Sequence, residues 1–194
     1  MSGSPVRRVT TTEPVIADDI ANRIGRVFNG LFAASTHTER RTVMMGGGAE
    51  PLFLPATDDQ PARLVFTRDY ASSALHEAAH WCIAGAARRR QIDYGYHYDA
   101  PPRTAQQRHR FFDLELRCQA MELLFTTAAR QPFRVSIDDL DTPPERAMQI
   151  SAADFATDVH AAAIAMNARG LPSRAARLRD ALSAEFKALV VSLD

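Results

Sequence analysis

Two histidines four residues apart, with a glutamate directly after the first, make an H-E-x-x-H pentad in Ser73-Ala74-Leu75-His76-Glu77-Ala78-Ala79-His80-Trp81. On an α-helix that separation places His76 and His80 on one face a turn apart, so both imidazoles can offer a nitrogen to a single metal ion. The surroundings favour this over chance. From Ala71 to Ala87 the only formally charged residue is Glu77, while Leu75, Ala79, Cys82, Ile83 and Ala86 recur at helical spacing as an apolar face. A helix this apolar belongs in a core, where two histidines and a glutamate need partners. A pair of core histidines satisfied by hydrogen bonds is the plainer alternative.

Two histidines do not complete a reactive centre, and the nearest extension of the motif fails. In one metalloprotease class the pentad runs on as H-E-x-x-H-x-x-G-x-x-H, but Ile83 and Ala86 occupy the glycine and histidine positions. A third ligand must therefore come from another segment. Residues 104–130 read as a long helix that carries Glu115, Gln119 and Glu122 on one face, beside the apolar Leu114, Met121, Leu124 and Phe125. Glu115 is the best candidate, with Glu122 and Asp113 as fallbacks. Thirty-five positions separate His80 from Glu115, enough chain to leave one helix, cross a loop and return on a second helix packed alongside.

The elements that must position these groups follow from periodicity and breakers. Residues 1–15 read as a disordered tail, and residues 16–194 as one domain. Ile20, Ile24, Val27, Phe28, Leu31 and Phe32 mark an amphipathic helix, followed by a Ser/Thr/Arg/Gly stretch that ends in Gly46-Gly47-Gly48. Leu52-Phe53-Leu54 and Leu64-Val65-Phe66 are short strands that lead into the pentad helix, which Arg88-Arg89-Arg90 closes with charge suited to a helix C-terminus. Asp93-Tyr94-Gly95-Tyr96-His97-Tyr98 is aromatic and extended, and Ala100-Pro101-Pro102 ends it. Beyond the 104–130 helix, two more helices are expected near 146–168 and 173–191, split by Gly170-Leu171-Pro172-Ser173. The fold class is α+β: a mostly helical single domain with a small antiparallel sheet beside the metal helix.

Composition excludes several classes. With 194 residues, 46% hydrophobic and 24% charged, the chain can bury one sizeable core. A formal net charge of +0 leaves no basic tract for nucleic acid and no electrostatic membrane anchor. The start, Met1-Ser2-Gly3-Ser4-Pro5-Val6-Arg7-Arg8, has no apolar secretory run, and no stretch reaches the roughly 18 apolar residues of a membrane span. A cytoplasmic location is expected, with Cys82 and Cys118 as reduced, buried filler. No nucleotide or flavin loop is visible, so any reductant comes from outside.

The longer string Ser73 to Gly85, S-A-L-H-E-A-A-H-W-C-I-A-G, followed by Arg88-Arg89 and Asp93-Tyr94-Gly95-Tyr96, resembles the elongation factor P hydroxylase family. The likeness extends upstream to Glu50-Pro51-Leu52-Phe53-Leu54-Pro55-Ala56 and downstream to Glu115, Gln119-Ala120 and Phe133-Arg134-Val135-Ser136, covering roughly residues 20 to 140. The resemblance implies a non-haem monooxygenase that hydroxylates the β-lysyl-modified lysine of elongation factor P, its protein substrate. It carries His76, His80 and Glu115 over as metal ligands, a two-histidine, one-carboxylate set with open positions for dioxygen that suits Fe(II). The same residue types hold zinc in thermolysin-like peptidases, so zinc is the alternative metal and a small zinc metallopeptidase the alternative function.

Glu77 divides these readings. In a peptidase it is the general base for the metal-bound water; in a hydroxylase it becomes an acid that orients a ligand or relays protons. A substrate bearing ammonium groups calls for carboxylates and aromatic walls at the pocket mouth, and Asp93, Asp99, Asp138 and Asp139, with Tyr94 and Tyr96, are the candidates. Arg88 to Arg90 is a candidate docking surface for the partner protein. A 2-oxoglutarate dioxygenase built on His97-Tyr98-Asp99 with His160 needs a β-sandwich, whereas Ala153, Phe155, Ala156, Val159, Ala163 and Met166 around His160 read as helix. A family member that binds its partner without chemistry is the remaining reading.

Overall fold

The first helix forms because its apolar residues return every three or four positions. In the computed structural model, which describes residues 16–35, 41–92, 104–136 and 152–187, α1 spans Ile16–Phe32 and buries Ala21, Ile24, Phe28 and Phe32 along that stripe. The chain then enters a three-stranded sheet of β1 (Thr42–Gly48), β2 (Leu52–Leu54) and β3 (Ala62–Thr67), in the order β1-β3-β2. In β3, Ala62, Leu64 and Phe66 are buried, the alternation expected of a sheet with one face on the core.

The sheet is mixed rather than wholly antiparallel. β2 runs antiparallel to β3 as a hairpin, whereas β1 lies parallel to β3 on its other side. β1 itself is absent from the expected strands, because Met44-Met45-Gly46-Gly47-Gly48 has too little β-branched or aromatic content to read as one. Tertiary contacts supply what propensity does not. The Asn29 side chain of α1 accepts from the Met44 N–H at 2.7 Å and donates to the Met44 carbonyl at 3.0 Å, occupying the outer edge of β1. The glycines answer a steric demand: the register shifts between Met45 and Gly48, and a Cβ on Gly48 would sit 2.7 Å from the Glu50 carbonyl oxygen.

The β3 strand feeds directly into α2 (Ala71–Ile83), where the Ser73 hydroxyl accepts from the Thr67 N–H at 3.0 Å. This helix ends earlier than its composition suggests. Ala84 leaves helical geometry at ψ 127°, and Arg88–Arg90 form a separate 3₁₀ turn. The arginines therefore do not close α2 by continuing it. Instead the Arg89 guanidinium donates to the Ala84 carbonyl, and Arg174, far along the chain, donates to the Cys82 and Ala84 carbonyls at 3.0 and 2.8 Å. Cations do serve the negative end of this helix, but as side chains folded back onto its last carbonyls.

Helix α3 (Ala105–Ala128) opens with a capping box between Thr104 and Gln107, and α4 (Ala152–Arg169) and α5 (Ser173–Glu185) follow. The first tail helix stands where expected within the residues described, whereas the second ends at Glu185, and Phe186 and Lys187, inside the expected 173–191 span, form a turn with Lys187 at φ 51°. One core joins α1, the sheet, α2, α3 and α5, while Ala120, Leu123 and Leu124 of α3 meet Phe155, Val159 and Ala163 of α4 in a second cluster. Cys82 and Cys118 are free and buried. No described helix is long and apolar enough to cross a membrane.

Candidate metal centre

Helix α2 is buried nearly all round: Ala74, Leu75, Glu77, Ala78, Ala79, His80, Trp81 and Cys82 all lie inside. One of its sides meets α3, where Glu115, Gln119 and Glu122 fall within an arc of about 60° because they are spaced four and three apart. The two helices bring four side chains together. His76 and His80 place their Nε2 atoms 2.9 Å apart with their rings edge to face. The Glu115 carboxylate approaches the same point, 3.4 Å from the His80 Nε2 and 3.9 Å from the His76 Nε2. Two nitrogens bound at right angles to one ion at about 2.1 Å would be about 3 Å apart, so the donor set fits a single metal.

Glu122 stands on the other side of His76. Its carboxylate is 2.8 Å from Nδ1, the ring nitrogen that faces away from His80. The fallback role as third ligand thus passes over Glu122, which meets His76 from behind. Asp113 is excluded on different grounds, being exposed and 3.6 Å from His109 one turn earlier.

The electrostatics match an ion site. Burial pulls the His76 imidazolium down, but the Glu122 hydrogen bond and the charges of Glu122, Glu77 and Glu115 outweigh it and raise the group to about 9. Burial likewise pushes Glu115 up, yet the His80 hydrogen bond and charge, the charge of His76 and the Gln119 hydrogen bond bring it below the usual carboxylate range. Three carboxylates around two imidazoles make a pocket that holds positive charge. Cys118, one turn from Glu115, also has its sulfur within 4.8 Å of the histidine nitrogens. Its thiol is 3.8 Å from the His76 carbonyl, and burial together with the charges of Glu115, Glu122 and Glu77 holds it protonated. A bound metal displaces such a proton, so Cys118 and Glu115 both stand as sulfur or oxygen donors within reach of the two histidines.

Gln119 has a role that its sequence position hides. Its amide donates to the Ser136 carbonyl at 2.7 Å and accepts from the Ser136 N–H at 3.1 Å, and its Nε2 lies 3.4 Å from Glu115. One side chain thereby ties the 131–136 loop to the carboxylate. Replacing it by leucine strands two backbone groups of Ser136, and we expect a stability loss of about 1–3 kcal/mol in urea denaturation, with weaker metal binding. A loss below that range would show that water takes over these contacts.

Glu77 is 4% exposed, buried beside the histidines it separates. The substrate-facing candidates Asp93, Tyr94, Tyr96, Asp99, Asp138 and Asp139 lie outside the described residues, as does His97-Tyr98-Asp99. His160 is exposed on α4, in helix as its neighbours indicate.

The comparisons with known proteins bear on this geometry. Residues 27–194 match the family model described as elongation factor P hydroxylase, which reaches past residue 140 and takes in α4 and α5. An elongation factor P lysine hydroxylase of Haemophilus influenzae is 36% identical over 161 residues, covering 82% of this chain and 85% of that protein.

Proposed function

The chain belongs to the elongation factor P hydroxylase family, and from that premise we propose that it hydroxylates the lysine of elongation factor P in its β-lysylated form, using Fe(II) and dioxygen. The observation that carries the proposal is the approach of the His76 and His80 Nε2 atoms and the Glu115 carboxylate to one point. Iron bound there would supply the activation of dioxygen next to the substrate C–H bond. One oxygen atom enters that bond; the other leaves as water, with two electrons and two protons drawn from an external reductant.

The chain's own residues do the rest. His76, His80 and Glu115 would hold the metal on rigid helices, and the Gln119 amide, 3.4 Å from Glu115, would steady that carboxylate. Glu77 is the acid that orients this assembly or relays protons, and the Asp and Tyr side chains of 93–99 and 138–139 receive the substrate's ammonium groups. Replacing Glu77 by glutamine should preserve metal content while lowering turnover by roughly 10²-fold, the scale of a lost proton-transfer group. Metal analysis with single-turnover mass measurement reads both, and full hydroxylation in this variant would remove Glu77 from the mechanism.

The deciding experiment incubates β-lysylated elongation factor P with the purified protein, Fe(II) and a reductant, in air and under argon. A gain of one oxygen atom in intact mass, in air alone, is the expected result. No gain in either, with metal bound, would point to a different substrate or to a peptidase, and peptide hydrolysis restored by zinc and indifferent to oxygen would replace the hydroxylase reading by the peptidase.

A further inference from the structure

We propose that Glu122 is the positioning residue of this centre: its carboxylate takes the Nδ1–H of His76 and so fixes the tautomer that leaves Nε2 open to the metal. The inference rests on the metal-centre reading above and adds a role that the ligand set does not require. An imidazole that ligates a metal through one nitrogen carries its single N–H on the other, and the partner of that other nitrogen decides which way round the ring binds. A carboxylate oxygen within hydrogen-bond distance of a ring N–H accepts from it. At 2.8 Å from Nδ1, Glu122 demands the proton there; the other tautomer would set a lone pair against the carboxylate and drive a proton into the space shared with His80 and Glu115.

Three features separate this role from a surface contact or from ligation. The Glu122 side chain is 8% exposed, so the bond is not screened by bulk water. Its approach is to the ring nitrogen remote from the point where the Nε2 atoms meet. It is also carried by the helix that carries Glu115, two turns further on, so ligand and orienting group are built on one rigid element. Carboxylate, histidine and metal would then form a chain in which the outer group sets ring angle and basicity.

The test uses Co(II) and Zn(II) alone as probes of the full chain, with wild type, E122Q and E122A. Cobalt titration followed in the visible region should show E122A binding 10–100-fold more weakly than wild type. E122Q keeps a carbonyl acceptor and should lose less. In the zinc-loaded wild type, proton NMR should show a far-downfield, slowly exchanging Nδ1–H, absent in H76A, that moves upfield in E122Q and exchanges with water in E122A. A generally loosened fold would not move that signal in this graded way. If E122A fails to fold by circular dichroism, E122Q decides on both readouts. Cobalt affinity within twofold of wild type, or an unmoved Nδ1–H, overturns the proposal. A changed cobalt coordination spectrum in E122Q would make Glu122 a ligand and overturn it too. A wild type that binds neither metal would instead bring down the centre itself, a distinguishable failure.

Discussion

Replacing His76 by alanine should abolish oxygen incorporation into elongation factor P, to the level of the reaction without enzyme. The expected loss is about 10³-fold or more, because under the proposed function the substitution would remove a ligand nitrogen from the centre, and with it the metal, not merely an orienting contact. Two side chains lose their partner as well. His80 keeps its Nε2 but loses the nitrogen 2.9 Å away, and Glu122 is left as a buried carboxylate without the Nδ1 it met at 2.8 Å. Stranding that charge costs stability, so H76A should melt below wild type by more than a surface substitution would cause. The control is H76Q, which fills the space and can still donate a hydrogen bond. We expect H76Q to recover most of the stability and none of the activity. Activity within tenfold of wild type in either variant, at full iron content, would show that His76 is not a ligand.

The part of this site that is legible in the sequence is the part that follows from local spacing. His76 and His80 share a helix, and Glu115, Gln119 and Glu122 share another, so helical periodicity alone puts each group on one face. Which face atom does what depends on how the two helices cross, and spacing does not contain that. Glu122 and Glu115 look alike on a helical wheel, yet one meets Nδ1 and the other faces Nε2. Gln119 gains its function from the backbone of Ser136, 17 residues on. Arg174 clamps the end of α2 from 92 residues away from Cys82, and only the folded chain brings them together. The glycine-rich β1 escapes sequence reading for a related reason, since its strand geometry is imposed by β3 and by the amide of Asn29. Local rules find the chemistry; long-range contacts assign its parts.

The second large effect falls on stability and comes from the residue after His80. Trp81 points about 100° round α2 from His80, into the core, where it is 1% exposed. Its ring lies 4.9 Å from Phe28 and 4.6 Å from Phe32 of α1, and the Arg174 guanidinium of α5 stacks over it at 4.6 Å. One side chain thus joins three helices at the back of the metal helix. Trp81→Ala should cost about 3–5 kcal/mol, through lost apolar burial and the cavity left behind, lowering Tm by roughly 6–20 °C for a chain of this size. Trp81→Phe should cost well under half as much. It keeps the aromatic contacts and also removes an indole N–H that is buried without a hydrogen-bond partner among the described residues. Chemical denaturation of the three proteins reads the order directly, and equal losses for alanine and phenylalanine would mean that a phenyl ring recovers none of these contacts. The activity of these variants then separates support from chemistry. Below its own melting range Trp81→Phe should retain metal and turnover, whereas His76→Gln should retain its fold and lose both, because the two residues occupy different faces of one helix.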